Sequence, residues 1–360
     1  MSEASASGLA CEARLNLPNL PLYIDRISDR LQSFDADASQ EGQRLDFRFA
    51  FGGASFDVDR LVMRANAADR DGLARIKDLL ATAIEVYAKE ENPEIVWTGD
   101  FAGETRLAQF REMVVTQVGD LTPHMRRIRF AGEDLGRFAK FGGMHIRMLF
   151  PTREVPEPLW PVLGGNGLPA WPSNDRRPLA RVYTIRALDL EKGIIDVDFL
   201  IHPGDSVGAH WAMQATAGMK IGIMGPVGRP VRLASWYLMG ADETGLPALA
   251  RMLETLPAET KGAAYIEIAD DGERQVIDNA TGIELHWLPR NGVPAGLDER
   301  LARAILSVAW PTGSAFGWFA AEAAAATTVR EHWRGTLGLG RDETLAAAYW
   351  RQGAAGLMAG

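Results

Sequence analysis

The chain has one cysteine, Cys11, among 360 residues. A single thiol excludes an intrachain disulfide and an iron–sulfur cluster held by four thiolates of this chain. Any electron handled here therefore needs an organic cofactor or an external donor. Basic charge is in deficit, with 38 Lys and Arg against 47 Asp and Glu, a net −9. That argues against a nucleic-acid binder, which wants a basic excess. Residues 1–10 lack a basic segment followed by an apolar run, so no secretory signal is expected. The longest weakly charged run, 304–329, is broken by Pro311, Gly313, Gly317 and Glu322. It reads as loop, buried strand and helix start, not as a membrane span. The expected location is cytoplasmic, with no membrane insertion.

The length suffices for two or three domains with full cores. Residues 1–10 are small and polar and are expected to be disordered. Residues 11–105 read as a small α+β domain. Apolar residues recur at helical spacing over 17–31 and 69–89. Residues 45–56 alternate as a hairpin, and 58–65 form a further strand. Residues 106–232 change character. Short strands at 113–118, 125–130, 145–150, 194–202 and 220–224 are separated by turn residues, the pattern of an antiparallel barrel. Gly225 to Gly228 is expected to close it with a tight turn. A Pro/Gly/Trp-rich loop spans 152–178, and loops of that length are commonly functional. Residues 233–360 alternate strand and helix: strands at 236–240, 263–269, 283–288, 314–320 and 344–350, helices at 246–256, 298–309 and 323–334. That predicts a parallel sheet with helices on both faces, which binds nucleotides at the carboxyl ends of its strands. The fold class is multidomain α+β: a small α+β domain, an antiparallel β-barrel and a C-terminal α/β domain.

Several stretches carry chemistry. Arg181-Val-Tyr183-Thr184-Ile-Arg186 reads as a strand, with Arg181 and Tyr183 on one face. A guanidinium beside a phenol suits a flavin nucleotide, gripping its pyrophosphate and lying against its ring. A solvated amphipathic strand is the plainer reading of those six residues alone. After His202 a small-residue turn leads into Gly208-Ala209-His210-Trp211, a helix start whose free N–H groups suit a diphosphate. His202 and His210 lack a third ligand at metal-binding spacing, so no metal site is expected. Asp242-Glu243-Thr244 follows the first strand of the α/β half. It reads either as a nucleotide loop or as a helix N-terminus stabilised by its acids. Acids Glu267, Asp270 and Asp271 end the second strand, where they could bind a ribose diol and lean the chain toward NADH. Arg126, Arg127, Arg129, Arg147, Arg153, Arg176, Arg177 and Arg186 cluster in sequence around the barrel half, either as a pocket for an anionic small molecule or as solvated surface.

Taken in order, Arg181-x-Tyr183-Thr184-x-Arg186, Val197-Asp198-Phe199-x-x-His202, Trp211-Ala212, Gly225-Pro226-x-Gly228, Asp242-Glu243-Thr244-x-x-Pro247, Trp287-Leu288-x-Arg290, Ala320-x-Glu322-Ala323 and Tyr349-Trp350-Arg351-x-Gly353 resemble the siderophore-interacting protein family. These are FAD-dependent ferric-siderophore reductases with a ferredoxin-reductase-like layout. The resemblance covers about residues 110–355. It implies an FAD site built from Arg181 on the pyrophosphate, Tyr183 on the flavin and Thr184 near its reactive edge. Val197, Asp198, His202 and the segment from Gly208 through Ala209 and His210 to Trp211 complete that site. Asp242, Glu243 and Thr244 would face the nicotinamide of NADH or NADPH, and Tyr349 and Trp350 would return toward the flavin. Tyr183 and Thr184 are the expected catalytic pair. Arg127, Arg147 and Arg186, with 152–178 as a wall, are expected to hold a ferric siderophore. Ala241, Ala321 and Ala348 stand where the family often has Gly, and Gly245 where it often has Ala. The fused segment 12–100 carries no chemistry of its own that sequence reveals.

The reaction implied is hydride transfer from NAD(P)H to FAD, then single-electron reduction of Fe(III). Fe(II) is softer and leaves hard oxygen donors. Other readings are a general NAD(P)H:flavin or quinone-type acceptor reductase, and a non-catalytic binder of siderophore or flavin. An external ferredoxin is a further possible donor.

Overall fold

The structure is a computed structural model that describes residues 8–202, 204, 206–228 and 231–354. It divides into two compact units, one of residues 1–108 with 158–177, the other of 109–157 with 178–360.

The first unit is built on a six-stranded antiparallel sheet. Its spatial order is Asp37–Glu41, Arg44–Phe49, Gly52–Asp57, Val62–Ala67, Leu9–Asn16 and Glu94–Gly99. Strand alternation puts Leu45, Phe47 and Phe49 inside, on the face covered by helices Ile24–Gln32 and Arg70–Ala88. Asp69 caps the longer helix, its carboxylate accepting from the Gly72 amide at 2.9 Å. The start differs from expectation. Leu9 and Ala10 are already strand, because the segment pairs on both sides, with Val62–Ala67 and Glu94–Gly99. The rest of the expected disordered stretch, 1–7, lies outside the described residues. The loop 152–178 also behaves otherwise. Its part from 158 to 177 belongs to this first unit. Asn166 accepts from Trp97 Nε1 through its carbonyl (3.0 Å), and Leu163 donates its amide to Thr105 (2.8 Å).

The second unit contains the barrel and the parallel sheet. Seven antiparallel strands run in the order Leu179–Thr184, His145–Phe150, Lys220–Val227, Phe110–Thr122, Met125–Ala131, Ile194–Leu200 and Ala187–Asp189. The two outer strands follow each other in sequence. Between them Ile185 donates its amide to Met144 on one side, and Arg186 to Asp196 on the other, both at 2.8 Å. One corner thus joins both edges and closes the barrel. Ile128, Phe130, Ile146, Phe150, Val197 and Phe199 fill its inside. The segment from Gly225 is not a separate tight turn. The strand continues to Val227, with a register shift between Met224 and Val227.

The parallel strands are ordered Gly282–Pro289, Lys261–Ile268, Trp236–Ala241, Ala315–Glu322 and Thr344–Trp350. Helix Leu246–Thr255 packs on one face with Met239, Ile266 and Trp318. Helices Arg300–Leu306 and Ala323–Glu331 cover the other with Leu238 and Phe319. The order of strands reverses beside Trp236–Ala241, which leaves a crevice at its carboxyl end. Among the described residues no helix is long and apolar enough to cross a membrane.

Candidate functional site

A cavity of about 650 Å³ lies where the barrel meets that crevice. From the barrel it is lined by His145, Arg147, Arg181, Val182, Tyr183, Thr184, Asp198 and His202. From the α/β side it is lined by Glu243, Thr244, Pro247, Leu345, Tyr349 and Trp350, with Arg334 and Arg341. The corner at 185–186 makes this possible. Four successive residues from Arg181 line the cavity at the end of their strand, just before that corner.

Charge is asymmetric. The two lining carboxylates are already engaged from behind. Asp198 takes Arg127 in a fork of 2.7 and 2.8 Å, and Glu243 takes Arg290 at 2.7 and 2.8 Å. Arg181 makes one bond among the described residues, to the Ala180 carbonyl at 2.7 Å. Arg147 and Arg341 have no carboxylate partner among them. The cavity therefore presents cations whose charge is not matched locally, a field for an anion.

Tyr183 packs its ring on Phe199, centroids 4.5 Å apart, and edge-on to Phe150. Its hydroxyl lies over Gly208, where a Cβ would stand only 1.8 Å from it. Burial raises its phenol well above the usual range. Ser206 caps the helix Val207–Gln214 that begins there.

On the α/β side Asp242 is the hub of the turn. Its Oδ1 accepts from the Thr244 amide (2.9 Å), the Thr244 hydroxyl (2.5 Å) and the Gly245 amide (3.2 Å). Its Oδ2 accepts from Trp350 Nε1 at 2.7 Å. Burial holds its carboxyl above the usual carboxylate range despite those donors. Arg290 also reaches Glu267 at 3.1 Å. Burial, with Asp242 and Glu243 nearby, pushes Glu267 up to about 7 against the pull of Arg290. Across the cavity, His145 Nε2 and the Tyr349 hydroxyl are 2.6 Å apart, their rings edge to face. Burial, then Arg251, lowers His145 to about 4.

Comparison with known proteins follows the same two halves. Residues 114–230 match the family described as siderophore-interacting FAD-binding domain, and 234–353 the family described as siderophore-interacting protein. The chain is 30% identical over 251 residues to the NADPH-dependent ferric-chelate reductase of Escherichia coli, covering 67% of this chain and 93% of that one. The chain belongs to the siderophore-interacting protein family. It is also 29% identical to the ferric vibriobactin reductase ViuB of Vibrio cholerae, over 65% of this chain and 86% of the relative. Among solved structures, a siderophore utilization protein from T. fusca aligns at 31% identity and TM-score 0.58, over 69% and 95% of the two chains. SipS, the siderophore-interacting protein from Aeromonas hydrophila, aligns at 28% and TM-score 0.60, over 68% and 93%.

In this siderophore-interacting protein the structure gathers Arg181, Tyr183, Thr184, Asp198, His202, Glu243, Thr244, Tyr349, Trp350 and Arg147 around one cavity. Others among the sequence candidates sit elsewhere. Val197 is fully buried in the barrel core. Trp211 is stacked on Phe130 in that core. His210 is exposed and contacts Gln214 at 3.1 Å. Gly208 and Ala209 are buried at the helix start, Gly208 acting through the room it leaves Tyr183. Asp242 is behind the lining, holding Thr244 and Trp350. Arg127 and Arg186 are both ion-paired. Arg127 is paired with Asp198, and Arg186 grips Glu254 of helix Leu246–Thr255. Of the loop 152–178, residues 158–177 belong to the first unit. The acids ending the second strand are also committed, Glu267 to Arg290, Asp270 to the Gly272 amide and Asp271 to Arg274.

Sequence reasoning missed His145, Arg334 and Arg341. His145 gave a faint signal, a histidine two residues before Arg147 on an apolar strand. The two arginines gave none, since they flank a turn far from the barrel in sequence. At position 245 a Cβ would stand 2.4 Å from the Ala320 carbonyl and 3.1 Å from the Ala241 Cβ, so the turn has no room for a side chain there.

The residues fit FAD. Arg181 is a cation without a carboxylate partner among the described residues, and Tyr183 offers an aromatic wall in the same lining, its hydroxyl accommodated by the missing Cβ of Gly208. Among the described residues no three His, Cys, Asp or Glu side chains converge to hold a metal ion.

Proposed function

We propose that this protein is an FAD-dependent reductase that takes hydride from NAD(P)H and reduces a ferric siderophore, releasing Fe(II). Bound FAD supplies what side chains cannot, acceptance of two electrons together and their delivery one at a time. Arg181 grips the pyrophosphate with its planar fork. Tyr183 and Thr184 hold the ring side. Thr244, positioned by Asp242 and closed in by Trp350, faces the nicotinamide. Glu243 is held in place by Arg290, so it shapes that end without presenting an unpartnered carboxylate. Arg147 and Arg341 are the cations left for an anionic chelate, and Arg127 and Arg186 act one step back, by fixing Asp198 and the barrel corner. Iron is cargo in this reading. Hard oxygen donors hold Fe(III) far better than Fe(II), so one electron is enough to loosen it. In this scheme 106–232 carries FAD and 233–360 takes the nicotinamide. The reaction belongs in the cytoplasm, where reduced nicotinamide is supplied.

The observation that carries this reading is the unpaired Arg181 beside Tyr183 in a cavity of positive balance, opposite the strand ends of a parallel sheet. The ferric-chelate and vibriobactin reductases among its relatives support it. Protein loaded with FAD is mixed anaerobically with NADH or NADPH, then with a ferric trihydroxamate. Bleaching of the flavin absorbance by one nucleotide, and its return on adding the chelate, is the expected result. Failure of both nucleotides to bleach it would point to an external donor such as a ferredoxin. Equal rates with quinones and ferric chelates would leave only a general acceptor reductase.

A further inference from the structure

His145 and Tyr349 come from opposite sides of the cavity, one from the barrel and one from the last parallel strand, and share a 2.6 Å hydrogen bond. His145 is the register partner of Thr184, so it stands directly across from the residue assigned to the flavin edge. We propose that Tyr349 and His145 form a two-residue proton relay for the flavin reaction, with Tyr349 Oη giving or taking the proton on the cavity side and His145 Nε2 exchanging it behind. This rests on the reading of the cavity as the FAD site.

The chemistry requires such a path. Hydride transfer from NAD(P)H supplies two electrons and one proton equivalent, and a second proton must be taken up to leave the cofactor fully reduced. Two Fe(III) ions then remove two electrons, and two protons must depart. The cavity offers few groups for this. Asp198 is forked to Arg127 and Glu243 to Arg290. Tyr183 holds its hydroxyl over Gly208. His145 and Tyr349 already share a proton. The second imidazole nitrogen, Nδ1, faces Gly228, another residue of the lining, where a Cβ would lie 3.3 Å away. Nδ1 has no hydrogen-bond partner among the described residues, so it is the nitrogen left to exchange a proton.

The surroundings favour relay over simple acid or base action. Arg251, from helix Leu246–Thr255, is the cation that acts on His145. Asp242 lies behind Tyr349. Arg147 and Arg181 share the lining with the pair, and the neighbouring strand contributes Val227 opposite His145. Burial keeps the imidazole neutral down to about pH 4 and keeps the phenol protonated. Neither charged form is stable, so one proton enters as another leaves.

The test uses holoenzyme reduced with dithionite and mixed anaerobically with ferric citrate, in H2O and in D2O, from pH 5.5 to 8. Wild type is expected to show a solvent isotope effect and no inflection in that range. Tyr349→Phe, which keeps the ring, and His145→Gln are each expected to slow oxidation about 100-fold and to abolish the isotope effect. FAD affinity, measured separately by fluorescence titration of the apoprotein, is expected to change by less than about threefold. Wild-type rates and isotope effects in both variants overturn the relay. So does a loss of FAD affinity that accounts for the whole effect, since the pair is then a clamp. Wild type that binds FAD but is not bleached by NADH or NADPH refutes the nicotinamide donor alone, because dithionite bypasses that step.

Discussion

At the scale of single residues the cavity depends on what is missing as much as on what is present. Gly208 is the second residue of its helix, a position where alanine normally improves helix stability by about 1 kcal/mol. Here a Cβ would meet the Tyr183 hydroxyl at 1.8 Å and its ring carbon at 2.7 Å. Gly208→Ala is therefore expected to leave circular dichroism intact and weaken FAD binding at least about tenfold, read by flavin fluorescence. Buried charge makes the second prediction. Glu267 titrates near 7 when folded against 4.5 as a free side chain, so between those values the native state holds the extra proton. Its contribution to stability is greatest below about pH 4.5 and is lost as pH rises through about 7, on the order of 3 kcal/mol in all. Glu267→Gln is expected to flatten that decline when urea midpoints are compared at pH 5 and pH 7.5. Arg181 and Tyr183 were legible as a pair from residue type. The carboxylate partners of Arg127 and Arg186 were not, because Asp198 and Glu254 are each about 70 positions away.

At the scale of elements the α/β half was the most readable part. Its two central strands, Trp236–Ala241 and Ala315–Glu322, are buried along almost their whole length, so they read as short apolar runs between polar turns. The N-terminal sheet was harder. Leu9–Asn16 buries Cys11, Ala13 and Leu15 by strict alternation, but two of those three are small and give little hydrophobic contrast. Helix Arg70–Ala88 was found from its apolar spacing and from Asp69 ahead of it. Asp69→Ala is expected to lower the stability of the first unit by about 1 kcal/mol, measured by thermal melting. The corner at 185–186 is the element-scale feature that no local pattern announces. It exists because successive backbone amides bond to opposite sheet edges.

At the scale of the whole chain, two units with separate cores are expected to give two calorimetric transitions. FAD at about 100 times its dissociation constant should raise only the transition of the unit containing Arg181, by about 2.7 kcal/mol. A single transition that shifts as a whole would count against independent units. The amino-acid sequence by itself determined the class of each half, the order of barrel and parallel sheet, and the short motifs that face a cofactor. These depend on residue type and on spacing within a dozen positions, which chain connectivity preserves. Only the tertiary structure decided which arginines remain unpaired, that 158–177 folds onto the first unit, and that His145 meets Tyr349. Those outcomes rest on contacts between residues tens to hundreds of positions apart, where the competition among charges and the closing of the barrel select the partners.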